Sequence, residues 1–296
     1  MTENRKNIIY SIIAALCFVI LLAGGLVVSG EVKLEVPEQT QAQSEYYMVV
    51  MGDSILGEER DETSVPAQIE KMLGEPVFNG ALGGTSMGRG NMEGYDSVIN
   101  DALSMASLTK SIVGRDNTVQ QTIMANWGGM DHFPETIAQL LEIDFSKVQV
   151  LLIGHTLNDY HAGEPIEDDG QWDNEYTFVG ALRSTIRTLQ KAYPDLRIIL
   201  VSAPYTWYRE HNLTCEEYVL GGNILEDYVN AQIAVAKETG VELIDLYHEG
   251  YPHESWEDCA TYTNDGLHPN EQGRELLAQI IAEYFLTHPD EEKHSN

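Results

Sequence analysis

Apolar positions along the chain follow two rhythms in turn. Short, nearly continuous apolar runs occur at Tyr46–Met51, Glu75–Asn79, Val148–Ile153, Arg197–Ser202 and Val241–Leu246. Runs of this kind, four to eight residues long and rich in aliphatic side chains, suit strands buried on both faces of a parallel sheet. Between them the spacing changes to three and four. Val65, Ile69, Met72 and Leu73 share one helical face, with Pro66 in the first turn. Further helices are predicted over 174–192, 216–239 and 270–287. The stretch 86–145 is long for a crossover and reads as mostly helical (Met92–Leu108, Thr118–Trp127, Phe133–Glu142), a candidate cap over the carboxyl edge of the sheet. Strand and helix in alternation predict one α/β domain, a parallel sheet of about five strands covered by helices on both sides.

The N-terminal pattern is different. No charged residue occurs from Ile8 to Val28, and about 20 residues at about 1.5 Å each cross a hydrocarbon core. Arg5 and Lys6 precede this run and Glu31 and Glu35 follow it, which predicts a cytoplasmic N-terminus and an extracellular remainder. The expected organisation is therefore residues 1–7 inside, 8–29 a transmembrane anchor or signal segment, 30–45 a polar linker, 46–287 the globular domain and 288–296 a polar tail. An uncleaved anchor is preferred, because the run exceeds a usual signal core and Val28-Ser29-Gly30 is a poor cleavage site. The membrane is thus an expected partner through this helix alone.

Charge narrows the function. With 47 acidic against 17 basic residues the chain carries −30, a field that repels phosphate backbones and excludes nucleic acid as a partner. The three cysteines show no Cys-x-x-Cys spacing. Cys17 lies in the apolar run, while Cys215 and Cys259 are open to a disulfide or to standing as two thiols. His248 and His253 lack a ligand set for a metal, and nothing in the sequence calls for a cofactor.

Ligands of open parallel sheets bind beyond the carboxyl ends of the strands, and the chemistry-bearing residues fall there. Gly52-Asp53-Ser54 follows the first predicted strand, Asn79-Gly80-Ala81-Leu82-Gly83-Gly84 the second, and Asn158-Asp159 the third; Asp265-Gly266-Leu267-His268-Pro269 follows the fifth. A serine hydroxyl needs a base, and histidine has a suitable pKa. That base needs a carboxylate on its other nitrogen, and Asp265 stands three residues before His268. Backbone amides of Ser54 and Gly84 and the Asn158 carboxamide are candidate donors to an oxyanion. Asp53 and Asp159 read as loop-holding residues; His155 and His161 flank the third block, where they are open to touching substrate but read first as exposed polar loop residues. Trp127, Trp172, Trp207 and Trp256 sit at predicted loops or helix ends, where one could contact substrate.

These four blocks, in this order, resemble those of the SGNH/GDSL hydrolase family over about residues 46–287. The resemblance implies a flavodoxin-like three-layer sandwich, ester hydrolysis without a metal, Ser54 as nucleophile, His268 and Asp265 as its triad partners, and Ser54, Gly84 and Asn158 as the oxyanion hole. One departure is plain: the third block usually reads Gly-x-Asn-Asp, and here Thr156 stands in the glycine position. The expected function is an extracellular serine esterase acting on small acyl esters, acetyl foremost, with a small-molecule or glycan ester as substrate. A lipase or lysophospholipase for longer chains, and a non-catalytic binding module on the same scaffold, are the alternatives.

Overall fold

A computed structural model describes residues 46–90, 101–126, 132–168 and 170–289. The predicted anchor, the linker, Trp127 and the last seven residues lie outside these. Among the described residues no helix is long and apolar enough to cross a membrane.

Five strands, β1 (Met48–Gly52), β2 (Val77–Asn79), β3 (Val150–Gly154), β4 (Arg197–Val201) and β7 (Glu242–Ile244), form one sheet in the order β2-β1-β3-β4-β7, every pair parallel. Their apolar runs are buried as the pattern requires: Met48 to Met51 and Val150 to Ile153 are fully enclosed. Each such aliphatic side chain contributes roughly 1.5–3 kcal/mol by leaving water. Two short strands, β5 (Trp207–Tyr208) and β6 (Leu213–Thr214), form a separate antiparallel hairpin, which alternation of apolar residues did not signal.

The helices are α1 (Ser54–Gly57), α2 (Val65–Leu73), α3 (Met105–Gly114), α4 (Thr118–Asn126), α5 (Phe133–Glu142), α6 (Leu157–Ala162), α7 (Phe178–Ala192), α8 (Leu225–Thr239), α9 (Leu246–Glu249), α10 (Trp256–Tyr262) and α11 (Glu271–Thr287). α2 has the predicted bounds because its ends are chemically marked: the Ser64 hydroxyl accepts from Ala67 N–H, Pro66 occupies the first turn and Gly74 closes it. The chain moves one way across the sheet through β1 and β2 and the other way through β3, β4 and β7. Right-handed crossovers then put α2 on one face and α7 and α8 on the other, where α2 packs with α11, and α3, α7 and α8 pack in series. Of the helices of 101–142, α3 packs with α7 in a flanking layer, and Leu140 of α5 lies beside Gly80, just past the carboxyl end of β2; residues 91–100 and 127–131 of the predicted cap lie outside the described residues. Strand order reverses between β1 and β3, which opens the crevice where α/β sheets bind ligands.

Candidate functional site

Ser54 sits at that crevice. β1 ends at Gly52, and Asp53 caps the one-turn helix α1 by accepting from Ile55 N–H at 3.0 Å, which turns Ser54 out of the strand at the helix start. Asp53 is 2% exposed and its carboxyl is pushed up to about 7 by burial, against the pull of the Ile55 amide and of His268. A carboxyl with a folded pKa above its unfolded value near 3.8 stabilises the fold most at low pH and loses that contribution as pH rises from about 4 through 7. Asp53→Asn keeps the cap without the buried charge. Its melting temperature relative to wild type is expected to rise between pH 5 and pH 8; an unchanged difference over that range would count against a raised Asp53.

The loop between α10 and α11 brings the imidazole. Asp265 Oδ1 accepts from the amides of Leu267 (2.9 Å) and His268 (2.8 Å), and its Oδ2 lies 2.8 Å from His268 Nδ1. A carboxylate only accepts, so Nδ1 carries the proton and Nε2 offers its lone pair. Nε2 is 3.1 Å from Ser54 Oγ, and the serine hydroxyl donates to it. Burial raises the Asp265 pKa, but hydrogen bonds from the His268 side chain and the two amides outweigh this and leave it below the usual carboxylate value. Gly266 is required inside this loop: its φ is +94°, and an added Cβ would stand 2.1 Å from the Trp207 carbonyl.

The other side of the crevice is built from the second and third blocks, stapled to each other. Asn158 Nδ2 donates to the Thr85 carbonyl at 2.8 Å, while Asp159 accepts from Met87 and Gly88 N–H, both at 2.8 Å. Asp159 is fully buried and is pushed up to about 7 by burial, with Glu164 and Asp53 adding to the rise. Gly84 adopts φ +76° with open space beside it, the left-handed conformation that glycine takes without strain. Arg60, which no sequence signal marked, donates to the carbonyls of Asn79 (2.7 Å) and Ala81 and so ties the second block to the loop after α1.

Thr156 does not occupy a position that requires glycine: its φ of −163° lies outside the left-handed region, and its hydroxyl lies 2.6 Å from the His155 carbonyl and 3.0 Å from Gln232 Oε1. Asn158 lies within α6, not in a loop. His155 and His161 are not the exposed loop residues expected. His155 is 1% exposed because it follows the buried strand β3, and His161, on α6, is half-buried with Nε2 2.7 Å from the Tyr208 hydroxyl. Burial, and then the charge of His268, press the His161 pKa down to about 4. Cys215 and Cys259 are separate buried thiols. Trp207 and Trp256 stand beside the Asp265–His268 loop, Trp207 N–H donating to Gly266 O at 2.9 Å, whereas Trp172 packs under Arg183 and Arg187. Among the described residues no cluster of three or more His, Cys, Asp or Glu side chains suits a metal ion.

With this geometry in view, the profile of the GDSL-like Lipase/Acylhydrolase family matches residues 50–276. The chain belongs to this family. Its members are hydrolases of ester substrates, and the five-stranded parallel sheet flanked by helices is their fold. The chain is similar in structure to a protein from Lactobacillus plantarum, at 20% identity with a TM-score of 0.58, covering 83% of this chain and 98% of that one. It is also similar to a protein from Chitinophaga pinensis described as a possible lipase, at 16% identity and a TM-score of 0.52, covering 82% and 98%. At such identities the likeness concerns the fold. No curated protein sequence matches this family member.

Proposed function

We propose that the protein is a serine esterase that removes short acyl groups, acetyl foremost, from a hydroxylated alcohol such as a carbohydrate, at the extracellular face of the membrane. The observation that carries the reading is the line of contacts from Ser54 Oγ to His268 Nε2 (3.1 Å) and from His268 Nδ1 to Asp265 Oδ2 (2.8 Å). Ser54 Oγ attacks the ester carbonyl as His268 takes its proton, and Asp265 stabilises the imidazolium. The Ser54 and Gly84 amides and the second Asn158 N–H meet the oxyanion. His268 then returns the proton to the departing alcohol, and a water deprotonated by His268 attacks the acyl-enzyme, releasing the acid as His268 passes that proton to Ser54 Oγ. A net charge of −30 disfavours work on anionic lipid surfaces, and the aromatics beside Gly266 offer faces for a sugar ring. The apolar run before the domain supports the location.

A series of p-nitrophenyl esters from acetate to decanoate tests this. kcat/KM is expected to be highest for acetate and at least about tenfold lower by octanoate, a discrimination that a small acyl pocket can supply. A preference for long chains would move the reading to a lipase; inertness on every ester, acetylated sugars included, would leave a binding module.

A further inference from the structure

Both donors that complete the oxyanion site around Ser54 hang on Thr85. The Thr85 carbonyl holds the Asn158 carboxamide at 2.8 Å. Its N–H (3.3 Å) and hydroxyl (2.7 Å) both donate to the Leu82 carbonyl, closing the turn that contains Gly84. The one hydroxyl proton of Thr85 is thereby used, so its contact with His155 Nε2 at 3.2 Å is one in which the imidazole donates and Thr85 Oγ1 accepts. His155 is then the Nε2–H tautomer, and Nδ1 is a bare acceptor, buried with no hydrogen-bond partner. An unpaired buried nitrogen of this kind is destabilising, and a hydrocarbon side chain would avoid it.

We propose that His155 is a positioning residue for the oxyanion site, acting through the Thr85 hydroxyl to fix the Gly84 amide and the Asn158 carboxamide together. Three observations meet in this assignment. His155 directly follows β3 and is 1% exposed, so the sheet fixes its backbone. Among the described residues, the only hydrogen-bond contact of its side chain goes to the residue that joins the two donors. Its cost, the orphaned Nδ1, stands next to the site and at a place where packing alone would favour an apolar residue. Burial also holds the pKa of His155 down at about 3, so the ring stays neutral and the donor stays on Nε2 through the pH range in which His268 must act as a base. Thr85 accepts one hydrogen bond from the ring and returns none, so the turn has one arrangement. Without the clamp, the Thr85 hydroxyl keeps only its bond to the Leu82 carbonyl, and the turn that presents the Gly84 amide and the Thr85 carbonyl is held less firmly.

The inference rests on Ser54 being the nucleophile of an ester hydrolase, and the test separates the two. Wild type, His155→Leu, His155→Gln, Thr85→Val and Thr85→Ser are compared on p-nitrophenyl acetate, and each is titrated with an alkylboronic acid, which adds to a serine hydroxyl and presents a tetrahedral oxyanion mimic. His155→Leu and Thr85→Val are expected to lose about tenfold or more in kcat with KM within about threefold, and to lose boronate affinity in the same proportion. His155→Gln, whose amide can donate where Nε2–H did, and Thr85→Ser, which keeps the acceptor, are expected to recover most of both. Should His155→Leu fail to fold, Thr85→Val, a near-isosteric change, carries the test. Folded variants with wild-type kcat and boronate affinity would overturn the inference, and so would losses in KM alone or the same losses in the rescue variants. A wild type that neither turns over esters nor binds the boronate would remove the underlying reading, and the inference with it.

Discussion

Ser54→Ala is expected to lower kcat for p-nitrophenyl acetate by at least about 10⁴-fold, the scale on which removal of an activated serine nucleophile acts. The size follows from what the hydroxyl contributes. In the proposed mechanism it forms the acyl bond, and no other nucleophilic side chain among the described residues contacts His268 Nε2. Loss of one oxygen from a half-buried residue at a helix start leaves the packing of α1 on Leu56 and Ile55 in place, so the melting temperature is expected to stay near that of wild type. Residual activity would reflect the oxyanion donors and binding alone. Mass spectrometry of wild type during turnover should show the acyl group on the peptide containing Ser54. Undiminished kcat in the alanine variant would rule Ser54 out as the nucleophile, whatever the family pattern implies.

The second large effect is expected as a contrast between twins. The chain contains two Asp-x-x-His pairs with nearly the same local geometry. Asp245 Oδ1 accepts from the amides of Tyr247 and His248, each at 3.1 Å, and its Oδ2 lies 2.7 Å from His248 Nδ1. Asp265 does the same for Leu267 and His268. Both pairs follow the carboxyl end of the last sheet strand. Only His268 reaches a serine. Asp265→Asn is expected to reduce kcat by about 10⁴-fold, because an amide in that place favours the imidazole tautomer whose Nε2 bears the proton and can no longer accept from Ser54. Asp245→Asn is expected to leave kcat within about threefold, as substitutions away from a reacting centre do. Equal losses in both variants would mean that the carboxylates act through stability, and thermal melts alongside the kinetics separate that case.

The twin pairs also show how far sequence carries. Asp265 and His268 are legible as a unit because their spacing lets one carboxylate hold two amides and an imidazole, a local matter of turn geometry. Asp245 and His248 satisfy the same local rule, so spacing alone cannot rank them. The deciding fact is contact across 214 residues of chain between His268 and Ser54. α11, which follows His268 in the chain, packs with α2, which follows Ser54.

The sequence by itself determined the elements whose signal is local. Continuous apolar runs marked β1, β3 and β4, since a strand buried on both faces has no polar side to show. The three-and-four spacing with Pro66 in the first turn marked α2, whose ends Ser64 and Gly74 cap in the structure. The glycine-rich turn after β2 and the Asn-Asp pair after β3 stood out because polar and glycine residues interrupt apolar runs at strand ends. Tertiary structure decided the rest. The β5–β6 hairpin has two residues in each strand, too short for alternation to register, and is tied to the Asp265–His268 loop by the Trp207 N–H bond to the Gly266 carbonyl. His155 reads as a loop histidine, and only the closure of the second block over the end of β3 buries it under Thr85. Cys215 and Cys259 stay apart because one packs against Tyr247 and the other under the Gly266 loop, a separation that no spacing along the chain reveals. Backbone preference and hydrophobic period act over a few residues and are written in the chain. The approach of one loop to another is set by how helices stack on the sheet, and that depends on every layer at once.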